Sequence, residues 1–298
     1  MTGTLSIVGA GRVGRALGQQ MRELGWKIGA VVTRNESSAR RAVRFIGAGT
    51  ACVGMSRRIL ASTCILIATP DGAIEEVANE LARIGGEELQ GQVVLHTSGA
   101  LDSSVLNAVR TCGAAVGSMH PLQTFNGVTV PPLEGKVFAI EGDAMAVRMA
   151  RNIARALGAA PSQIEPRKKP LYHAAGALAA GHTLVVVEAA IQLLTSLGMK
   201  RREAMRALLP MTRQVLQNYE RLGPRAAWTG PLSRGDYDVV AKHLNVLQQY
   251  SPEYGNAYEA LNRLAEQVLA RDASDSSPAG VRVEQVRKAK AQCTGGKG

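Results

Sequence analysis

Aromatic residues are scarce in this chain: three Phe, six Tyr and two Trp stand in 298 positions. So few π-faces leave little for base stacking, and no recognised nucleic-acid motif accompanies the net charge of +11, so specific nucleic-acid binding is not expected. Cysteine is equally thin. Cys52, Cys64, Cys112 and Cys293 are scattered without metal-ligand spacing, which argues against zinc and against a disulfide framework. No Asp, Glu or Cys accompanies His96, His120 and His173 at ligand spacing, so no metal site is expected. A signal pattern of basic, apolar and small residues is also missing, and no apolar run approaches membrane-spanning length. The expectation is a cytoplasmic protein with no membrane partner.

What is present begins with residues 6–16. Leu5, Ile7 and Val8 suit a buried parallel strand, and Val13, Leu17, Met21 and Leu24 recur at the spacing of a helix packed on it. Gly9, Gly11 and Gly14 then fall at the strand-to-helix junction, where a dinucleotide fold needs a tight turn, close backbone approach to a diphosphate, and close helix packing. With a second strand over 27–33 the βαβ unit is complete, and Gly9, Gly11, Arg12, Val13 and Gly14 are its candidate cofactor contacts. The end of that second strand lacks the carboxylate that would accept from an NAD ribose. Thr33 and Arg34 stand there, followed by Asn35, Ser37, Ser38, Arg40 and Arg41, and a guanidinium with hydroxyl neighbours suits a ribose phosphate. The expected cofactor is NADP(H). Much of the basic excess clusters here, in Arg12, Arg15, Arg34, Arg40, Arg41 and Arg44, and more of it in the tail, in Arg287, Lys288 and Lys290.

Further strands are expected near 50–53, 64–68, 92–95, 114–119 and 136–140, with helices over 72–84 and 144–157 between them. The strand at 64–68 ends in Thr69, Pro70 and Asp71, which should pass close to a bound dinucleotide. Beyond Pro166 the alternation stops. A charge-poor run over 171–197 reads as one long helix buried on most faces, and helices over 201–221, 236–249 and 252–270 follow. The expected architecture is α/β: an N-terminal Rossmann domain (1–165) with a doubly wound parallel sheet, then an all-α domain (166–271) with one long central helix. A disordered basic tail (272–298) ends the chain.

This order resembles the superfamily of phosphogluconate dehydrogenases, β-hydroxyacid dehydrogenases and ketopantoate reductases, whose plan pyrroline-carboxylate reductases share. The runs 96–100 (HTSGA), 117–125 (GSMHPLQTF) and 172–176 (YHAAG) more closely resemble a bacterial family that joins a Rossmann-like domain to domain of unknown function 2520. Some of its members have been proposed as alternative ketopantoate reductases. In the superfamily a Lys near the start of the long helix, with an Asn four residues on, faces the substrate. The resemblance puts Lys169 and His173 at those positions, and the spacing places both on one helix face. Either could then be the acid. Pro170 fits a first helical turn and puts Lys169 at the cap. Ser98, His120 and Gln123 sit where the superfamily's substrate-gripping loops lie, and Arg234 is in reach of a substrate carboxylate unless it only flanks Asp236 as a helix cap.

Two functions follow as expectations. One is an NADPH-dependent oxidoreductase that reduces a small keto acid, ketopantoate-like, or an imine acid by hydride transfer in the interdomain cleft, with Lys169 and His173 as acid and polarising group. The other is a non-catalytic NADP-binding sensor or scaffold. A homodimer through the helical domain is implied by the resemblance and by the apolar long helix.

Overall fold

The computed structural model describes residues 3–270. The expected tail, with Cys293 and its lysines, lies outside the described residues. Two compact units divide the chain after Gly181.

The first unit is built on one eight-stranded sheet. Its strands are β1 (Thr4–Val8), β2 (Lys27–Thr33), β3 (Thr50–Val53), β4 (Cys64–Ile67), β5 (Val93–His96), β6 (Ala115–Pro121), β7 (Val137–Gly142) and β8 (Ala160–Gln163). Their order is β3-β2-β1-β4-β5-β6-β7-β8. Helices α1 (Arg12–Glu23), α2 (Glu36–Ile46), α3 (Ile74–Gly85), α4 (Asn107–Thr111), α5 (Ala144–Ala156) and α6 (Lys169–Ala177) complete the unit. Successive residues of one strand serve opposite faces: Ile7 and Leu66 pack with Leu17, Met21 and Ile46, whereas Val8, Ile65 and Ile67 pack with Ile74, Ala78 and Leu81. Covering both faces explains why these strands read as continuous apolar runs.

The order reverses between β1 and β4, and the crevice at such a switch point, beyond the carboxyl ends of the strands, is where a doubly wound fold receives its ligand. The sheet is not parallel throughout as expected. β7 runs antiparallel to β6, and β8 runs parallel to β7. The connection from Pro121 to Val137 holds no helix, so it cannot make the crossover that a parallel neighbour needs.

The boundary between units falls inside the helical run and not at Pro166, where the sequence pattern changes. Lys169, the first residue of α6, is buried and bonded to the ends of β5 and β6, which ties the start of the helix to the sheet. A π-turn over Leu178–His182 follows α6. The second unit holds α7 (Thr183–Ser196), α8 (Arg201–Ala227), α9 (Pro231–Arg234), α10 (Tyr237–Tyr250) and α11 (Pro252–Val268). Within α8 the chain kinks at Gly223, where φ is +78° just before Pro224.

Two expectations about the long helix fail. It is not buried on most faces: Leu171, Leu184 and Leu197 are 76%, 68% and 81% exposed. Residues Pro166–Ser196 are also long and apolar enough to cross a membrane by length and composition. The alanine-rich run has small side chains with little area to bury, and its larger ones fall on more than one side.

Candidate functional site

The three glycines of the first turn each meet a different constraint. Gly9 has φ +85°, and a side chain there would lie 2.6 Å from the Thr69 backbone nitrogen, because the β1 turn presses on the end of β4. At Gly14 a Cβ would stand 2.6 Å from the Gly9 carbonyl oxygen and 3.2 Å from Ile7, so glycine lets α1 pack on its strand. Gly11 is the opposite case. A Cβ there would meet nothing within 4 Å, so the protein leaves this spot open at the N-terminus of α1. The first turn of α1 carries no acidic residue, and its backbone N–H groups and dipole favour an anion.

A cavity of about 560 Å³ opens beside this turn, lined by Gly9, Gly11, Thr33, Arg34, Ser38, Thr69 and Pro70 among others. Arg34 is exposed in its wall and forms no ion pair among the described residues. The neighbouring arginines behave differently: Arg40 pairs with Glu36, Arg41 donates to Ser38 Oγ, and both line a separate surface groove with Arg44. Asn35 is committed to capping α2, its Oδ1 accepting from the Ser38 N–H at 2.9 Å. Arg12 is exposed at the turn, whereas Val13 packs against the core; neither lines the cavity.

Asp71 follows Thr69 and Pro70 of the cavity wall and ties their turn to a second cluster. Its Oδ2 accepts from Ser98 Oγ at 2.8 Å, and the same Ser98 oxygen accepts from the backbone N–H groups of Ala100 and Leu101. Ser98 is therefore a turn-former whose hydroxyl is engaged within the protein. The Ser98 carbonyl accepts from Lys169 Nζ at 3.0 Å, and Lys169 also donates to Ser118 Oγ. Lys169 is 0% exposed. Burial pushes its ammonium down to about 8, while the nearby carboxylates of Glu141, Asp102 and Asp71 pull the other way. Next to it His96 accepts at Nδ1 from the Ser98 N–H, leaving Nε2–H to donate to the Asp102 carbonyl. Burial, with Lys169 beside it, pushes His96 down to about 3, so its ring is neutral.

His120, at the end of β6, and His173, on α6, meet above Gly99. A Cβ on Gly99 would overlap His173 Nδ1 and lie 2.8 Å from His120 Nε2, so glycine is what lets both nitrogens face this one point. The two rings stand edge to face with centroids 5.5 Å apart. Burial, then the charges of His173 and Lys169, push His120 down to about 4. His173 is exposed, so the expected pair divides: Lys169 is enclosed under the turn and His173 faces outward.

One expected residue of the first unit does not join the cluster. Gln123 is half-buried and turns back on its own loop, donating to the Pro132 carbonyl. Arg234 belongs to the second unit, where it pairs with Asp236 at 2.9 Å; that carboxylate makes no cap bond to α10. Ser118, Glu141 and Tyr172 were missed. Ser118 and Glu141 sit opposite each other in the β6/β7 register, both buried, with Glu141 Oε2 accepting from Ser103 and its carboxyl pushed up by burial. A polar residue inside an otherwise apolar strand was the available signal for both. Among the described residues no group of His, Cys, Asp and Glu could hold a metal ion.

Two protein families match the sequence. Residues 3–121 match the Rossmann-like domain, and residues 136–265 match DUF2520, a domain of unknown function. A comparison with curated proteins finds no match. Among solved structures, a candidate NADP oxidoreductase from Bacteroides fragilis is 22% identical at a TM-score of 0.73, covering 89% of this chain and 98% of that one. A Thermotoga maritima protein is 24% identical at 0.66, with the same coverage. A reductive aminase from Aspergillus terreus, in complex with NADPH and ethyl-5-oxohexanoate, is 17% identical at 0.61, covering 100% of this chain and 96% of its own. At these identities the likeness is one of fold.

Proposed function

We propose that this chain, a Rossmann-like domain joined to a DUF2520 domain, is an NADPH-dependent oxidoreductase that reduces a small keto acid or imine acid. The observation that carries the reading is the cradle at Gly9, Gly11 and Gly14, open only at Gly11, with the unpaired Arg34 in the wall of the adjoining cavity. The NADPH complex of the A. terreus reductive aminase, a protein of the same fold, supports it. The Gly11 turn and the α1 N-terminus would hold the diphosphate, and Arg34 with Ser38 the ribose phosphate. When bound, the reduced nicotinamide supplies the hydride.

The residues of the first unit do the rest. His173 Nδ1 and His120 Nε2 both pack against Gly99, and a carbonyl oxygen or imine nitrogen docked beside this pair would be polarised by it. His173, the exposed partner, hands over the proton; His120 stays neutral and donates a hydrogen bond. Lys169 acts from below by holding the Ser98 carbonyl and the Ser118 hydroxyl, which fixes the turn under both imidazoles. We further propose a cytoplasmic homodimer. Cys52, Cys64 and Cys112 are free thiols, as a reducing compartment keeps them, and the exposed leucines of the long helix supply an apolar surface for a second copy.

Equilibrium titration with the two reduced dinucleotides tests the cofactor assignment. NADPH is expected to bind at least about tenfold more tightly than NADH, a difference of roughly 1.4 kcal/mol for one charge-assisted contact. Arg34→Ala should abolish the preference while leaving NADH binding unchanged. Equal or tighter binding of NADH by the unaltered protein contradicts the assignment.

A further inference from the structure

We infer that Tyr172 is a positioning residue: its phenol sets the tautomer of His120, so that Nε2, packed beside Gly99 and His173, carries an N–H donor and not a lone pair. The use of that donor rests on the reductase reading; the tautomer itself does not.

Tyr172 OH lies 3.0 Å from His120 Nδ1, and the two rings stand edge to face, centroids 5.5 Å apart at 89°. A neutral imidazole carries one donor and one acceptor nitrogen, so whichever role Nδ1 takes, Nε2 takes the other. The phenol is the stronger acid of the two N–H and O–H groups, and the hydrogen bond therefore runs from Tyr172 O–H to His120 Nδ1. Both groups keep the needed charge state near neutral pH. Burial pushes Tyr172 up to about 12 and, with the neighbouring cations, pushes His120 down to about 4. Nε2 must then carry the proton. It lies 2.8 Å from the position of a Gly99 Cβ, which the His173 Nδ1 also crowds.

The ring has little freedom to choose otherwise. His120 is at the strand end, and the consecutive residues Tyr172 and His173 of α6 bracket it edge-on from two directions. Without the phenol the Nδ1–H tautomer becomes accessible, and it would present an acceptor lone pair to an incoming oxygen or nitrogen. Tyr172 thus works through His120 and need not touch a substrate. The arrangement parallels a buried carboxylate or carbonyl that fixes the ring nitrogen of a working histidine, with a phenol in that role.

Nitrogen NMR of the imidazole side chains in the full chain, at neutral pH and without substrate, reads the tautomer directly. His120 is expected to show an unprotonated Nδ1 and a protonated Nε2. In Tyr172→Phe, which keeps the ring packing, the two nitrogen signals should move toward an average of both tautomers. If a keto or imine acid is turned over, Tyr172→Phe should lower kcat by roughly ten- to hundredfold with little change in the KM for NADPH. A protonated Nδ1 in the unaltered protein, or a Tyr172→Phe protein with the same tautomer, overturns the inference. The expected tautomer with no turnover of any substrate leaves the inference standing and removes the reductase reading instead.

Discussion

Lys169 sets the terms at the residue scale. An ammonium with no exposed surface is costly unless its hydrogen bonds are met, and the Ser98 carbonyl and Ser118 hydroxyl meet two of them. Its folded-state value of about 8 lies below the 10.5 of the unfolded chain. Below pH 8 both states hold the proton and Lys169 adds no pH dependence. Between about 8 and 10.5 only the unfolded state holds it, so folding stability rises with pH across that window. The expected gain is on the order of 3 kcal/mol at full effect. Chemical denaturation at pH 7.5, 9 and 10.5 checks this against Lys169→Met, which removes the titrating group. Relative to that variant the unaltered protein should gain stability as pH rises; a constant difference would show that Lys169 keeps an ordinary value when folded. The sequence could not show this environment, because Lys168 and Lys169 read alike in a basic segment, yet Lys168 is exposed and paired with Glu165. Which of two adjacent lysines points inward depends on the helical phase set by Pro166 and Pro170 and on a hole between the ends of β5 and β6.

At the scale of the element, strand ends were the most legible features. The turns after β1, β2, β4, β5 and β6 fall at Gly9, Arg34, Ala68, Thr97 and Leu122, where apolar runs give way to small or polar residues. β8 was not legible. It has only four residues, one of them proline, and all are at least partly exposed, so it carries no alternation to read. Strand direction was also hidden, since local composition is the same for either sense; only the helix-free connection from Pro121 to Val137 hinted at the antiparallel β7. The long helix misled for a different reason. Low charge predicts burial, but it does not say whether the burial is within the chain or against another copy. Leu184, Val185 and Val186 are exposed in one chain. Sedimentation equilibrium should therefore give a dimer, and Leu184→Glu with Val185→Glu should shift it to monomer without loss of helical circular dichroism. A monomeric unaltered protein at tens of micromolar would sink the dimer proposal.

At the scale of the whole molecule, the net charge is +11. Several described arginines are spent on local pairs, as in Arg57–Glu88, Arg110–Asp143 and Arg201–Glu188. Arg34 stands apart because it lines a cavity and has no carboxylate of its own. The cradle on one side and the imidazole pair on the other are joined through Asp71 and Ser98, a single hydrogen bond between the turns after β4 and β5. That link makes the two clusters one candidate site in the first unit. We propose that this site moves a hydride from NADPH to a small carbonyl or imine acid. Following NADPH oxidation across a panel of 2-keto acids and cyclic imine acids, with His173→Ala as control, tests that role. Turnover of at least one class is expected, lost by about a hundredfold or more in the variant while NADPH binding is kept. Tight NADPH binding with no oxidation by any member of the panel, or equal rates in the variant, would contradict it.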